Sequence, residues 1–140
     1  MLAADAKARL VEGALEAREN AYAPYSHFAV GACLLTEDGS YYRGCNIENS
    51  SYGATNCAER TAIFKAVSEG HRRLCGIAIA GGPEGEDPNG YAFPCGICRQ
   101  VMSEFAGPDL PVLVAKSSSD VKEFTLGELL ACSFTSENLV

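Results

Sequence analysis

At 140 residues with 47% hydrophobic content, the chain is long enough to bury one core without disulfide or metal staples. Its 11 Lys and Arg stand against 18 Asp and Glu, a net charge of −7 with no basic run, which argues against a polynucleotide or an anionic membrane surface as partner. No apolar run approaches the roughly 20 residues of a membrane span, and MLAADAKARLVEG lacks the continuous apolar stretch of a signal peptide, so a cytoplasmic protein is expected.

Leu10, Val11, Ala14 and Leu15 recur at helical spacing, with Lys7, Glu12, Glu16 and Glu19 on other faces, which predicts an amphipathic helix over residues 3–20 ended by YAPYS. In FAVGACLL, Phe28, Val30, Ala32 and Leu34 alternate as in a strand, and EDGS at 37–40 reads as a hairpin turn into an antiparallel partner near YYRGCNI. CAERTAIFKAVSEG then reads as a helix with Ala62, Ile63, Ala66 and Val67 on one side and Gly70 as its C-terminal cap. LCGIAIAGG at 74–82 is a short apolar strand. After the loop PEGEDPNGYAF, Pro94 is expected to open the helix PCGICRQVMSEFAG, with Gly107 as its stop. LPVLVAK at 110–116 is a further buried strand, and VKEFTLGELL a strand followed by a helical turn. The order helix, strand, strand, helix, strand, helix, strand, strand describes a three-layer α/β arrangement. No repeat or linker divides it, so residues 1–140 are expected to form a single domain.

Seven cysteines are an odd number, and in a reducing compartment they point to metal ligands or catalysts ahead of disulfides. Cys57, Cys95 and Cys98 each fall at the start of a predicted helix, where unpaired backbone amides and the helix dipole favour thiolate over thiol. Three cysteines with a nearby carboxylate suit a catalytic zinc, which keeps one position for water, whereas a structural zinc takes a fourth protein ligand. Glu59 stands in the looser geometry of a first turn, where it leans toward such a water. Three thiolates leave a bound dication over-neutralised, so a cation is expected beside them: Arg60, with Arg99 as second candidate. Taken singly these residues have plainer readings. A CxxC pair is often a redox couple or half of a structural site, and Glu59 alone would be a solvated first-turn glutamate. Cys33, Cys45, Cys75 and Cys132 have no paired ligand spacing and are read as small apolar residues. The combination C-x-E followed downstream by P-C-x-x-C is the signature of zinc-dependent base deaminases, with Cys in the first ligand position.

Beyond the metal motif, PYSHFAVGACL, GCNIENSSYGATNCAERTAI, PCGICRQV and LGELLACSF resemble, in order, segments of the short cytidine deaminases, and together they span most of residues 24–134. The resemblance implies a three-layer α/β/α fold around a central mixed five-stranded sheet and one zinc per chain. It also implies hydrolytic deamination of free cytidine and deoxycytidine in pyrimidine salvage, and a homotetramer whose sites are completed by neighbouring chains. It makes Cys57, Cys95 and Cys98 the zinc ligands. Glu59 becomes the proton shuttle, taking a proton from water, protonating N3 of the base, and passing a proton to the departing amine. Asn46 and Glu48 match the ribose-binding pair, Phe28 the aromatic that packs on the pyrimidine, and the Ala58 amide a donor to the base carbonyl. Tyr52 and Phe134 match aromatics associated with a neighbour's site, although LLACSF departs from relatives that carry a proline after the leucines. His27 receives no role.

Other readings make distinct demands. A nucleotide or polynucleotide deaminase would add cations for phosphate, and a deaminase of a cytosine-containing antibiotic would not require the ribose pair. A structural zinc module would need a fourth protein ligand and would leave Glu59 idle.

Overall fold

In the computed structural model, which describes residues 2–139, α1 covers Ala4–Ala17 and passes into a short 3₁₀ turn, Arg18–Asn20. The strands are β1 (Phe28–Thr36), β2 (Tyr41–Cys45), β3 (Leu74–Pro83), β4 (Pro111–Ser117) and β5 (Asp120–Thr125). Between and after them lie α2 (Ala58–Ser68), α3 (Gly96–Phe105) and the single turn α4 (Leu126–Leu129). The strands form one mixed sheet in the order β2-β1-β3-β4-β5, with β3 and β4 parallel and the other pairs antiparallel. A parallel pair needs a crossover, and α3 supplies it.

Alternation along the strands splits the core between two faces. Ala32, Leu34, Ile77, Ile79, Val112 and Val114 point toward α2 and α3. Cys33, Ala78, Ala80, Leu113 and Ala115 point toward α1, where Leu10, Val11 and Ala14 meet them. The result is the expected three-layer sandwich, with α1 on one face and α2 and α3 on the other. Each fully buried Ile, Leu or Val contributes about 1.5–3 kcal/mol through burial. On both faces a glycine lets a helix touch strand backbone. A Cβ on Gly31 would collide with the Ala14 carbonyl and the Arg18 amide, and one on Gly44 with the Ala62 amide and the Ala58 carbonyl. Gly44 thereby sets the height of the start of α2 above the sheet.

At two places an element boundary differs from the sequence reading for a local reason. β2 stops at Cys45 because the Asn46 side chain takes over part of the pairing: its amide still donates to the Val30 carbonyl at 3.2 Å, but Oδ1 accepts from the Val30 amide at 2.9 Å and Nδ2 donates to the Phe28 carbonyl at 2.8 Å. Pro94 does not open α3. It is buried just outside the helix, and Cys95, with extended backbone, is the N-cap whose carbonyl takes the first helical bond from Arg99. Gly70 does cap α2, at φ +98°. Of the four cysteines read as apolar filler, Cys33 is buried and Cys45 and Cys75 are half-buried. Cys132 is exposed, with φ +52°, so it fills no core and instead turns the chain after α4. Among the described residues no helix is long and apolar enough to cross a membrane.

Candidate active site

The starts of α2 and α3 converge. Cys57 is the N-cap of α2 and Cys95 that of α3; both have extended backbone and neither side chain caps its own helix, so both thiols are free to face outward from the helix ends. Cys98, one turn into α3, is fully buried. The three sulfurs lie within 4.8 Å of one another, and the Cys57 and Cys95 sulfurs are 3.8 Å apart. Tetrahedral zinc with Zn–S bonds of about 2.3 Å requires sulfurs about 3.8 Å apart, so the cluster fits that ion with little movement. Among the described residues it is the one group of three or more possible ligands at such spacing, and no fourth His, Cys, Asp or Glu joins it.

The electrostatics favour a cation at this point. Hydrogen bonding from the Cys98 thiol, followed by Arg60, holds the Cys57 thiol down at about 5. The same bond and burial push Cys98 upward. Arg60 Nη2 donates to the Cys57 sulfur at 3.2 Å, while its buried Nε has no partner. Burial opposes the Arg60 charge, but its bonds to the Cys57 and Cys98 sulfurs outweigh that and raise its pKa. Arg99, the other candidate cation, turns away: Nε donates to the Pro94 carbonyl at 2.7 Å and Nη1 to the Leu129 carbonyl at 2.6 Å.

Glu59 is only 4% exposed, and burial, the largest influence on it, pushes its carboxyl up to about 7. Its carboxyl lies against the Cys98 sulfur, and the Cys57 charge raises it further. Because Cys57 is the N-cap, the amides of Ala58, Glu59 and Arg60 fall in the first turn, where helical partners are missing. Ala58 itself is fully buried.

The remaining residues singled out by the sequence lie on the segments that lead into β1 and α2 and on the tail bonded to α3. Ile47 bridges to Tyr22 on one side and to Asn56, next to Cys57, on the other, which draws residues 22–28 and 46–57 together. Glu48 fastens the same loop. Its carboxylate accepts from the Tyr25 amide at 2.9 Å, the Ser26 amide at 3.1 Å and the Ser26 hydroxyl, and the hydroxyl bond leads the influences that lower its pKa. His27 takes the left-handed conformation, φ +56°, that turns this loop into β1. Phe28, at the start of β1, is 40% exposed; Tyr52, 77% exposed, packs edge-on against Tyr25 with ring centres 6.0 Å apart. Phe134, 61% exposed, is held through its carbonyl by Gln100 Nε2 at 2.8 Å. Gln100 and the structural use of Arg99 escaped the sequence reading; their only signal is adjacency to Cys98. An open groove of about 1250 Å³ lies elsewhere, lined by residues such as Arg18, Glu84, Asp87 and Lys116. It contains none of the clustered cysteines, and its charged groups form no metal-ligand cluster, so the chemistry is placed at the sulfurs.

A metal centre that activates water needs a position that the protein leaves open, and three sulfurs without a fourth protein donor fit a catalytic zinc of that class. Residues 5–114 match the family model for the cytidine and deoxycytidylate deaminase zinc-binding region. Cytidine deaminases from Halalkalibacterium halodurans and Sporosarcina psychrophila are 51% and 49% identical over 130 and 131 residues. These alignments cover 93% and 94% of this chain and 95% and 93% of the relatives. The crystal structure of cytidine deaminase from Burkholderia pseudomallei superposes with a TM-score of 0.82 at 46% identity, covering 95% of this chain and 100% of that one. The chain belongs to the zinc-binding cytidine and deoxycytidylate deaminase family.

Proposed function

We propose that residues 1–140 act as one deaminase domain that hydrolyses free cytidine and deoxycytidine to uridine and deoxyuridine with release of ammonia, as in cytoplasmic pyrimidine salvage. The observation that carries this reading is a buried carboxyl, Glu59, poised near neutrality beside three convergent cysteine sulfurs. One zinc held by Cys57, Cys95 and Cys98 would supply Lewis-acid activation of water. Glu59 takes a proton from the attacking water and delivers it to N3, which makes C4 electrophilic. The hydroxide so formed adds to C4; Glu59 then moves the proton of the new C4 hydroxyl to the exocyclic amine, so that C4=O forms as the C4–N bond breaks and ammonia leaves. A carboxyl near 7 is suited to both directions of transfer at physiological pH. Arg60, at the Cys57 sulfur, offsets the charge of three thiolates, so that the metal keeps its acidity.

Substrate is held by the segments that lead into β1 and α2. The Ala58 amide, in the first turn of α2, is a donor for the base carbonyl, and Phe28 packs on the ring. Asn46 and Glu48 spend part of their capacity on β1 and the 25–26 loop. Asn46 retains a second N–H, and Glu48 further lone pairs, for ribose hydroxyls. The carboxylate of Glu48 would repel a 5′-phosphate, so CMP should be a poor substrate. The test is to incubate the zinc-loaded protein with cytidine, deoxycytidine, CMP and cytosine and follow loss of cytosine absorbance and ammonia release. Turnover of both nucleosides is expected; equal efficiency on CMP would refute the ribose-site reading, and no nucleoside turnover would refute the function.

A homotetramer with shared sites completes the proposal. Tyr22, Tyr25, Phe28, Tyr52 and Phe134 are large side chains left exposed, although a site for a small polar nucleoside must be covered from bulk water. Identical chains in a closed assembly can cover each other in this way. Tyr52 and Phe134 are assigned to the neighbour's site. Glu59→Gln chains and Phe134→Ala chains, each of low activity, should regain turnover when dissociated and reassembled together. No recovery in verified mixed oligomers would show that each site is built within one chain.

A further inference from the structure

We propose that Arg99 and Gln100 are positioning residues that clamp the C-terminal tail onto the helix carrying Cys95 and Cys98, so that one helix sets both the metal ligands and Phe134. The proposal rests on the deaminase reading for Phe134 and on geometry for the clamp. Two carbonyls need Arg99. Pro94 is fully buried, and its carbonyl, immediately before Cys95, accepts from Nε at 2.7 Å. The Leu129 carbonyl closes α4, where the last carbonyls have no helical partner, and it accepts from Nη1 at 2.6 Å. The planar fork therefore joins the residue before a metal ligand to the point where the tail begins. A lysine, with one compact ammonium, cannot reproduce that two-point geometry.

The next residue holds the tail farther on. Beyond Leu130 the chain turns at Cys132 in the left-handed region, an unfavourable conformation for a residue other than glycine. The 3₁₀ turn Ser136–Leu139 and the bonds between Thr135 and Asn138 lie within the tail itself. Among the described residues, the bond from Gln100 Nε2 to the Phe134 carbonyl is the only hydrogen bond that ties residues 131–139 to the rest of the chain. A segment with one such tether and a strained turn is easily released. Because Arg99 and Gln100 are consecutive on α3, a displacement of the metal helix moves the tail with it.

The test uses the full-length, zinc-loaded protein with Gln100→Ala, Gln100→Glu, Arg99→Gln and Arg99→Lys. A neutral hydrogen bond changes an equilibrium by roughly 2- to 12-fold. Chymotryptic cleavage after Phe134 should therefore speed up by about that factor in both Gln100 variants, since Glu keeps the size of Gln but has no donor. KM for cytidine should rise by a similar factor, with kcat and the rate of zinc loss to a chelator unchanged. Arg99→Gln should loosen the tail and also accelerate zinc loss, and Arg99→Lys should recover part of one effect. Wild-type cleavage and KM in Gln100→Glu would overturn the clamp, as would a lowered Tm in these variants without any change in tail cleavage or zinc loss. Should the wild-type protein fail to deaminate cytidine, the functional reading fails, while cleavage and zinc loss still decide the clamp.

Discussion

Glu59→Gln is expected to keep one zinc per chain and lose about 10² to 10⁴ or more in turnover, the range typical of general acid–base catalysis. The substitution preserves size and touches none of the three sulfurs, so it removes proton transfer and little else. Burial makes the contrast sharp. The side chain is 4% exposed, so bulk water has poor access to take over the shuttle. Metal content and steady-state kinetics check this together, and a loss of less than tenfold would contradict the role. Stability gives a second readout with a definite sign. Burial raises the Glu59 carboxyl from 4.5 to about 7, so folding favours its protonated form. That contribution is complete below about 4.5 and is lost as pH rises through about 7. In zinc-free protein, Glu59→Gln should therefore gain in Tm relative to wild type as pH increases across this window.

Cys95→Ala should lose most zinc and activity together. Cys95 is the exposed member of the cluster, so shortening it removes no core packing and the fold should survive. The remaining two sulfurs offer too few ligands for a tetrahedral ion that already lacks a fourth protein donor. Circular dichroism should be unchanged while metal analysis falls well below one zinc per chain. Cys132→Ala is the matched control: it also removes an exposed thiol, but one outside the cluster, and should retain zinc. Full occupancy in Cys95→Ala would remove that residue from the ligand set.

The two outcomes depend on residues that were legible at very different levels. The cysteines were readable because helix-start signals are local: a break, a capping position and an apolar period of 3.6 appear within a dozen residues of Cys57 and of Cys95. One face of β1 was readable for the same reason, since alternation in FAVGACLL predicts that Val30, Ala32 and Leu34 share a side, whereas the continuous apolar run LPVLVAK marked a buried strand without separating its faces. The choice of cation was not. Arg60 stands three residues after Cys57 and Arg99 four after Cys95, and both spacings allow a helical side chain to reach back toward a sulfur. Arg99 was drawn off by the Leu129 carbonyl, 30 residues away in the chain. Likewise Asn46 and Glu48 could be recognised as polar loop residues, but their bonds to Phe28, Val30, Tyr25 and Ser26 depend on how residues 22–28 cross residues 46–48.

By itself, then, the sequence determined the order of helices and strands, the faces that α1, α2 and β1 bury, and the three sulfurs and one carboxylate available for chemistry, because each is written in short-range spacing. Only the tertiary structure decided that Cys57 and Cys95, 38 residues apart, bring their sulfurs within 3.8 Å, that Glu59 is sealed from water, and that the tail is tethered through Gln100. Those facts follow from strand register and from the close approach of α2 to the backbone at Gly44. Such long-range contacts depend on the simultaneous packing of all three layers, which no local pattern of residues records.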